Sequence, residues 1–335
     1  MILKNLQLIN FRKFSYIKLE FSEGINFIIG ENGAGKTTII EAISYLSIPR
    51  SFRGVKDEFL IKFNEAGWTI KAEISNLIEH NIQITYKKDG FKVIYLDGKK
   101  LRTFLKLFET FSVLTFHSNN YNLIDQSPEI KRKFFDWFFS MLNYEYFISL
   151  YKYKKILIQK NKALKTKSDI SIWNKQLKQY SDYIIKIRKN FITQLNSIIK
   201  EQNEKIKIDY KNSLNNKNFD DFIELEMKRG FSIIGPHRDN YEFYFNEKNA
   251  KFFASDGEKR RIFLDLVIAM TKLTESVKKI KPVLAFDDPF NVLDEKNFKN
   301  FIKEIKNLNV QVIISATNFI LDNENYHVID LKFLT

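Results

Sequence analysis

The octapeptide Gly30-Glu31-Asn32-Gly33-Ala34-Gly35-Lys36-Thr37 places glycines, a lysine and a hydroxyl at the spacing G-x-x-x-x-G-K-[ST]. These residue types at this spacing suit the cradling of a polyphosphate. Glycines let backbone N–H groups converge on phosphate oxygens, and a helix starting at the lysine adds the positive end of its dipole. Lys36 would reach the β- and γ-phosphates and the Thr37 hydroxyl would ligate Mg²⁺. The flanks agree: Ile25-Asn26-Phe27-Ile28-Ile29 reads as a buried strand, and Thr38-Ile39-Ile40-Glu41-Ala42-Ile43 continues at helical spacing. Gly30, Glu31, Asn32, Gly33, Ala34, Gly35, Lys36, Thr37 and Thr38 are therefore assigned to nucleotide binding.

A second reactive element is Val283-Leu284-Ala285-Phe286-Asp287-Asp288, an apolar strand ending in two carboxylates. Alone it would read as a solvated acidic turn before Pro289; beside a phosphate loop it reads as the strand that holds Mg²⁺. Alternation along a strand cannot aim both side chains into one pocket. Asp287 is therefore expected in the metal shell with Thr37, and Asp288, where the strand ends, to position water or act as general base. The third element is Ser255-Asp256-Gly257-Glu258, a polar turn at a helix start that offers a hydroxyl and N–H groups to an anion. Ser255 and Gly257 join the nucleotide set, and the expected catalytic residues are Lys36, Asp287, Asp288 and Ser255.

Composition narrows the setting. With 335 residues, 44% hydrophobic and 15% aromatic, the chain can build one large or two smaller cores. No cysteine is available for disulfides, thiolate metal sites or nucleophiles, and four scattered histidines argue against a histidine metal cluster. No apolar run approaches a membrane span of ~18 residues, and no signal peptide is read at the start, so a cytoplasmic protein is expected. The net charge is +14. Thirteen Lys or Arg but only two acids, Asp169 and Asp182, fall between residues 151 and 200. That block suits a polyanion partner, nucleic acid above all. A bias toward Lys, Asn, Ile, Phe and Tyr would produce the same surplus without a partner.

These motifs need elements to position them. Leu6 and Leu8, then Ile17, Leu19 and Phe21, alternate as a hairpin around Arg12 and Lys13. Residues 68–96 read as further strands with turns at Asp89-Gly90 and Asp97-Gly98, and residues 111–116 as a buried strand. From 128 to 207 the pattern is helical. Leu177, Ile184, Phe191 and Ile198 recur every seven residues, with Tyr180 and Ile187 as companions, which predicts paired helices forming an arm. The arm is either a DNA-gripping face or a helical subdomain with a solvated basic side. Glycines and strands are expected to return over 230–238, with strands at 282–286, 311–315 and 326–333. The expected architecture is α/β, with mixed sheets around a phosphate loop and an inserted helical arm. Its parts are 1–116 and 230–335 for the head and 117–229 for the arm.

In this order the motifs resemble an ABC-type ATPase head, and the chain is similar over nearly its full length to the RecF family, relatives of the SMC proteins. The resemblance rests on Leu8-Ile9-Asn10-Phe11-Arg12-Lys13, the phosphate loop with Glu41-Ala42-Ile43, Ser51-Phe52-Arg53 and Phe116-His117-Ser118. Ser127-Pro128-Glu129-Ile130-Lys131-Arg132-Lys133-Phe134-Phe135-Asp136 and Gly235-Pro236-His237-Arg238-Asp239 are its most specific blocks. Ser118-Asn119-Asn120-Tyr121 departs from it, lacking the family's acids. The resemblance implies a DNA-binding ATPase of recombinational repair. ATP and Mg²⁺ would join two heads, Ser255 and Gly257 of one chain meeting the γ-phosphate on Lys36 of the other. Slow hydrolysis would release DNA held at gaps or single-strand/duplex junctions. It further implies cooperation with RecR and RecO in loading RecA. Asn291-Val292-Leu293-Asp294 would be the loop crossing the dimer interface, and Thr317 or Ser315 would replace a phosphate-sensing histidine. Arg53, Lys152, Lys154, Lys155 and Arg238, with Arg12 and Lys13, are candidate DNA or phosphate contacts; salt bridges are the equal alternative for Arg12, Lys13, Arg53 and Arg238. The competing reading is the ATPase head of an SMC-like or transport machine acting on protein partners.

Overall fold

Unbroken apolar runs and alternating ones sort into two different sheets. In the computed structural model, residues 1–76, 78–215, 217–289, 295–317 and 326–333 are described. In chain order the elements begin with β1 (Ile2–Phe11), β2 (Phe14–Glu20), β3 (Ile25–Ile29), α1 (Lys36–Tyr45), β4 (Gly67–Asn76), β5 (Ile78–Lys87), β6 (Lys92–Leu96) and β7 (Lys99–Lys100). Next come α2 (Leu105–Thr110), β8 (Val113–Phe116), α3 (Ser118–Tyr121), α4 (Pro128–Leu142), α5 (Tyr144–Lys165), α6 (Ser171–Gln202), β9 (Ile206–Lys211) and α7 (Ile223–Arg229). The remainder are β10 (Asn240–Phe245), β11 (Lys248–Asn249), α8 (Ala250–Phe253), α9 (Asp256–Lys278), β12 (Val283–Asp287), α10 (Glu295–Lys306), β13 (Val312–Ala316) and β14 (His327–Asp330).

The chain forms two compact units, residues 1–121 with 274–335, and residues 122–273. In the first, β14-β3-β13-β12-β8 make a five-stranded parallel sheet. Nearly every residue of β3, β8, β12 and β13 is buried, as befits parallel strands covered on both faces. The order β2-β1-β4-β5-β6-β7 gives a six-stranded antiparallel sheet whose strands bury alternate residues. Ile70, Ile74, Ile82 and Ile84 share one core with Ile39, Ile40 and Ile43 of α1. The helix bearing the phosphate loop is thereby anchored by its apolar side. Among the described residues no helix is long and apolar enough to cross a membrane.

The second unit joins α4, α5 and α6 to the antiparallel sheet β11-β10-β9. Three expectations are corrected here. Residues 230–238 contain no strand; a 3-10 turn at Pro236–Arg238 precedes β10. Residues 230–273 pack with this unit rather than with the first, because β10 pairs with β9 and Tyr241 lies against Phe135 of α4, ring centroids 4.2 Å apart. Finally, the companions of Leu177, Ile184 and Phe191 on α6 are Ser181, Arg188 and Leu195, one residue beyond Tyr180 and Ile187, while Ile199 is buried rather than Ile198. The buried stripe steps by four where the sequence offered an apolar residue at three, since a straight helix advances 3.6 residues per turn.

Arg188 is the reason a polar residue occupies that stripe. Its guanidinium donates to Asp136 Oδ1 at 2.7 Å, Asp239 Oδ2 at 2.8 Å, the Pro236 carbonyl at 2.8 Å and the Tyr146 hydroxyl at 3.0 Å. Tyr146 also donates to Asp136, and Tyr210 to Asp239. Lys160, likewise buried, pairs with Glu226 at 2.6 Å. Two cations of the basic block therefore face inward. Arg188→Met should destabilise the chain by about 3–5 kcal/mol, because Asp136 and Asp239 lose their buried counter-charge. Denaturant unfolding of the full chain measures this, and an unchanged midpoint would contradict it.

Candidate nucleotide site

β3 ends at Ile29 and α1 starts at Lys36, so the loop between them lies at the carboxyl edge of the parallel sheet. Ligands collect at this edge in open α/β sheets. Strand register brings the acidic strand to the same place: Ser315 of β13 stands beside Ile28 on one side and Asp287 on the other. Across this edge the Thr37 Oγ1 donates to Asp287 Oδ1 at 2.9 Å, and Ser315 Oγ donates to the same oxygen at 2.9 Å. Asp288 leaves the strand with φ 51, its N–H donating to Ser315 Oγ at 3.0 Å. This left-handed turn is how consecutive carboxylates both reach one cleft.

That cleft, of about 510 Å³, is lined by Asn32, Gly33, Gly35, Lys36, Thr37, Thr38, Asp287 and Asp288 together with Arg12, Lys13 and Arg53. Lys36 Nζ donates to the Gly30 and Glu31 carbonyls at 2.6 and 3.0 Å, curling over the loop. Burial pushes the Lys36 ammonium below the usual lysine range, and Asp288 and Asp287 pull it back up. Lys13 Nζ donates to the Gly33 carbonyl at 2.8 Å. Glu31, Asn32 and Gly33 are exposed at the loop tip, and Ala34 packs against the core below. Thr37 and Asp287 fit Mg²⁺ as hard oxygen donors. Among the described residues no cluster of three or more acidic, His or Cys side chains could hold a metal. A site with so few protein ligands suits Mg²⁺, which keeps waters and phosphate oxygens in its shell.

Several supporting residues were not legible as such in the sequence. Glu41 is wholly buried on α1 and accepts from Arg12 Nε at 3.1 Å and Nη2 at 3.2 Å. It also accepts from Ser51, whose oxygen takes the Arg53 N–H. One carboxylate thus steadies two cations of the cleft wall, and the salt-bridge alternative describes Arg12. Tyr121, at the end of the departing Ser118–Tyr121 turn, donates to the carbonyls of Phe116 at 3.2 Å and Asp287 at 3.1 Å. His117 stacks on Phe52 at 5.1 Å; burial holds its imidazole below the usual range, with Asp287 raising and Arg53 lowering it. No spacing rule flags such residues, because each acts through a strand end or turn remote in sequence.

The other predicted residues lie elsewhere. Ser255 and Gly257 are exposed in the second unit, at the start of α9. Ser255 donates to Glu258 Oε2 from N and Oγ, at 2.7 and 2.8 Å, and its Oγ accepts from the Glu258 N–H at 3.4 Å. This is a reciprocal capping box, enough by itself to start the helix. Asn291-Val292-Leu293-Asp294 lies outside the described residues. Ser315 is buried against Asp287, and Thr317 follows β13. Lys152 and Lys155 on α5 rest over the rings of Tyr180 and Tyr151, beside exposed Lys154. Arg238 lies over Phe231 and donates to the Ser232 carbonyl at 3.1 Å.

The family described as RecF/RecN/SMC N terminal domain matches residues 2–330. The DNA replication and repair protein RecF of Clostridium novyi (strain NT) is 33% identical over 341 residues, 96% of this chain and 94% of its own. That of Clostridium perfringens (strain 13 / Type A) is 32% identical over 338 residues, 95% and 93%. Among solved structures, the recombination mediator protein RecF-ATPrS in the RecFOR pathway superposes with a TM-score of 0.88 at 29% identity, covering 98% of this chain and 95% of that one. An SMC head bound to the C-winged helix domain of ScpA, 17% identical, shares the fold at a TM-score of 0.51, over 95% of this chain and 90% of its own.

Gly35 carries the tightest constraint of the loop. Its φ is +105, and a Cβ there would meet the Phe14 ring at 2.4 and 2.8 Å, whereas one at Gly33, φ +84, would meet open space. Gly33→Ala should therefore cost about 1 kcal/mol of left-handed strain, and Gly35→Ala clearly more. Thermal unfolding of the two variants side by side checks this; equal midpoints would contradict it.

Proposed function

The chain belongs to the RecF family, and on that premise we propose that it is an ATP-controlled DNA clamp of recombinational repair. The observation that carries this reading is the convergence of Lys36, Thr37, Asp287 and Asp288 on one cleft, with Thr37 hydrogen-bonded to Asp287 across the sheet edge. Lys36 binds the β- and γ-phosphate oxygens, and the loop N–H groups of residues 33–38 hold the remaining charge. Mg²⁺, held by Thr37 and Asp287, would neutralise charge on the phosphoryl oxygens. Asp288 orients the attacking water and takes its proton. Arg12, Lys13 and Arg53 keep the cleft positive and so favour a highly charged nucleotide.

Two copies would close on two ATP molecules, the Ser255 turn of each offering its hydroxyl and the Gly257 N–H to the partner's γ-phosphate. The functional head would then consist of the first unit plus the start of α9, with the α4–α6 region as the arm. A dipole-bearing helix start that is exposed supports this reading. Hydrolysis, weak and stimulated by DNA, would open the dimer and release DNA at gaps or single-strand/duplex junctions. The similarity to a recombination mediator of the RecFOR pathway supports cooperation with RecO and RecR, and on this reading their joint task would be the loading of RecA.

Lys36→Ala should abolish both ATP binding and ATP-dependent dimerisation, measured by light scattering with and without ATP and a gapped duplex. Dimers that persist with ATP in this variant would remove the sandwich. Asp288→Asn should keep ATP binding, slow turnover about 10²-fold or more and prolong the dimer. Turnover at the parental rate would exclude Asp288 as the water-positioning residue.

A further inference from the structure

The basic block holds a groove that none of the motifs identifies. Between α6 and residues 212–215 and 217–219 lies a cleft of about 460 Å³ lined by Lys178, Lys186 and Lys189 from the helix and Lys217 from the opposite side. Its floor is apolar, with Ile185, Leu214 and Phe219 buried beneath the exposed ammonium groups. Positions 178, 182, 186 and 189 fall on one face of a helix. The lysines therefore form a row, with Lys178 and Lys186 roughly 12 Å apart along the axis. Lys217 lines the other wall.

The local charge is not neutralised. Among the described residues none of the four lysines meets a carboxylate within 4.0 Å. Asp182 is the single acid in the lining. Asp220 and Asp221 follow Phe219, Asp220 accepting from the Asn174 side chain at 2.8 Å and Asp221 from the Asn218 N–H at 2.9 Å, and neither lines the groove. Lys178 Nζ touches Asn218 Oδ1 at 3.3 Å, and Lys217 lies 5.7 Å over the Phe222 ring. Holding like charges together on both walls of one groove is unfavourable without an anion between them. Lys152 and Lys155 of α5 also lie over rings, those of Tyr180 and Tyr151, but outside this groove.

We propose that the groove lined by Lys178, Lys186 and Lys189 of α6 and by Lys217 is a binding site for the sugar–phosphate backbone of DNA, its lysines contacting successive phosphates. The assignment rests on the DNA-clamp reading but places the contact on residues that reading does not name. Such contacts position the backbone and carry no base preference.

The test uses the full chain and a gapped duplex, with affinity measured across a series of salt concentrations. Lys178→Gln, Lys186→Gln, Lys189→Gln and Lys217→Gln together should flatten the slope of log K against log salt by about 2 to 3. Lys152→Gln, Lys154→Gln and Lys155→Gln together should change it by less than about 1. All four groove lysines are exposed, so a parental thermal midpoint is expected and serves as the folding control. Asp182→Asn should tighten binding about twofold to fivefold, a gain that misfolding cannot mimic. A steep parental slope left unchanged by the quadruple variant overturns the groove while leaving the clamp intact. A parental chain that ignores DNA at every salt concentration overturns both.

Discussion

The hydrogen bond from Thr37 to Asp287 joins residues 250 positions apart, and the cleft depends on it. It forms because β3, β13 and β12 run parallel in adjacent places, so that their carboxyl ends share one edge. The loop leaves the end of β3 and the carboxylates leave the end of β12, while Ser315 between them ties Asp287 in place. A slip of one residue in either pairing would turn Asp287 to the opposite face of the sheet. Register along the buried strands is thus the quantity on which the chemistry rests.

Buried charge serves a different purpose in each unit. Glu41 in the first unit gathers Arg12 and the Ser51–Arg53 turn behind the cleft wall. Arg188 in the second joins Asp136 and Asp239, which come from the two sequence blocks most specific to the family. Those blocks lie about a hundred residues apart, and their shared feature is a carboxylate aimed at one guanidinium. Pairs of this kind add little net stability over apolar packing, yet losing one partner is costly. They therefore specify which helix and strand meet.

The cations divide in the same way. Lys160 and Arg188 are enclosed and paired, Lys178, Lys186, Lys189 and the ring-stacked Lys217 line a groove, and Lys152 and Lys155 lie over tyrosine rings outside it. Net charge treats all of them alike. Only the folded arrangement separates cations that are enclosed and paired from those left at the surface.

The phosphate loop, the acidic strand and the parallel runs were readable from the sequence because each is a local pattern. Glycine spacing, an apolar run ending in carboxylates and period-two alternation need no knowledge of distant residues. The seam of α6 was misplaced by one residue because Arg188 looks polar until Asp136 and Asp239 surround it. Residues 230–238 read as a strand by their apolar run, yet they form a turn, and pairing with β9 begins only at Asn240 of β10. The supporting roles of Glu41, Tyr121 and Ser315 were decided by tertiary structure alone. Sequence determines which groups are present and the period on which they recur; the sheet decides which of them meet, because hydrogen-bonded register is a relation between strands remote along the chain.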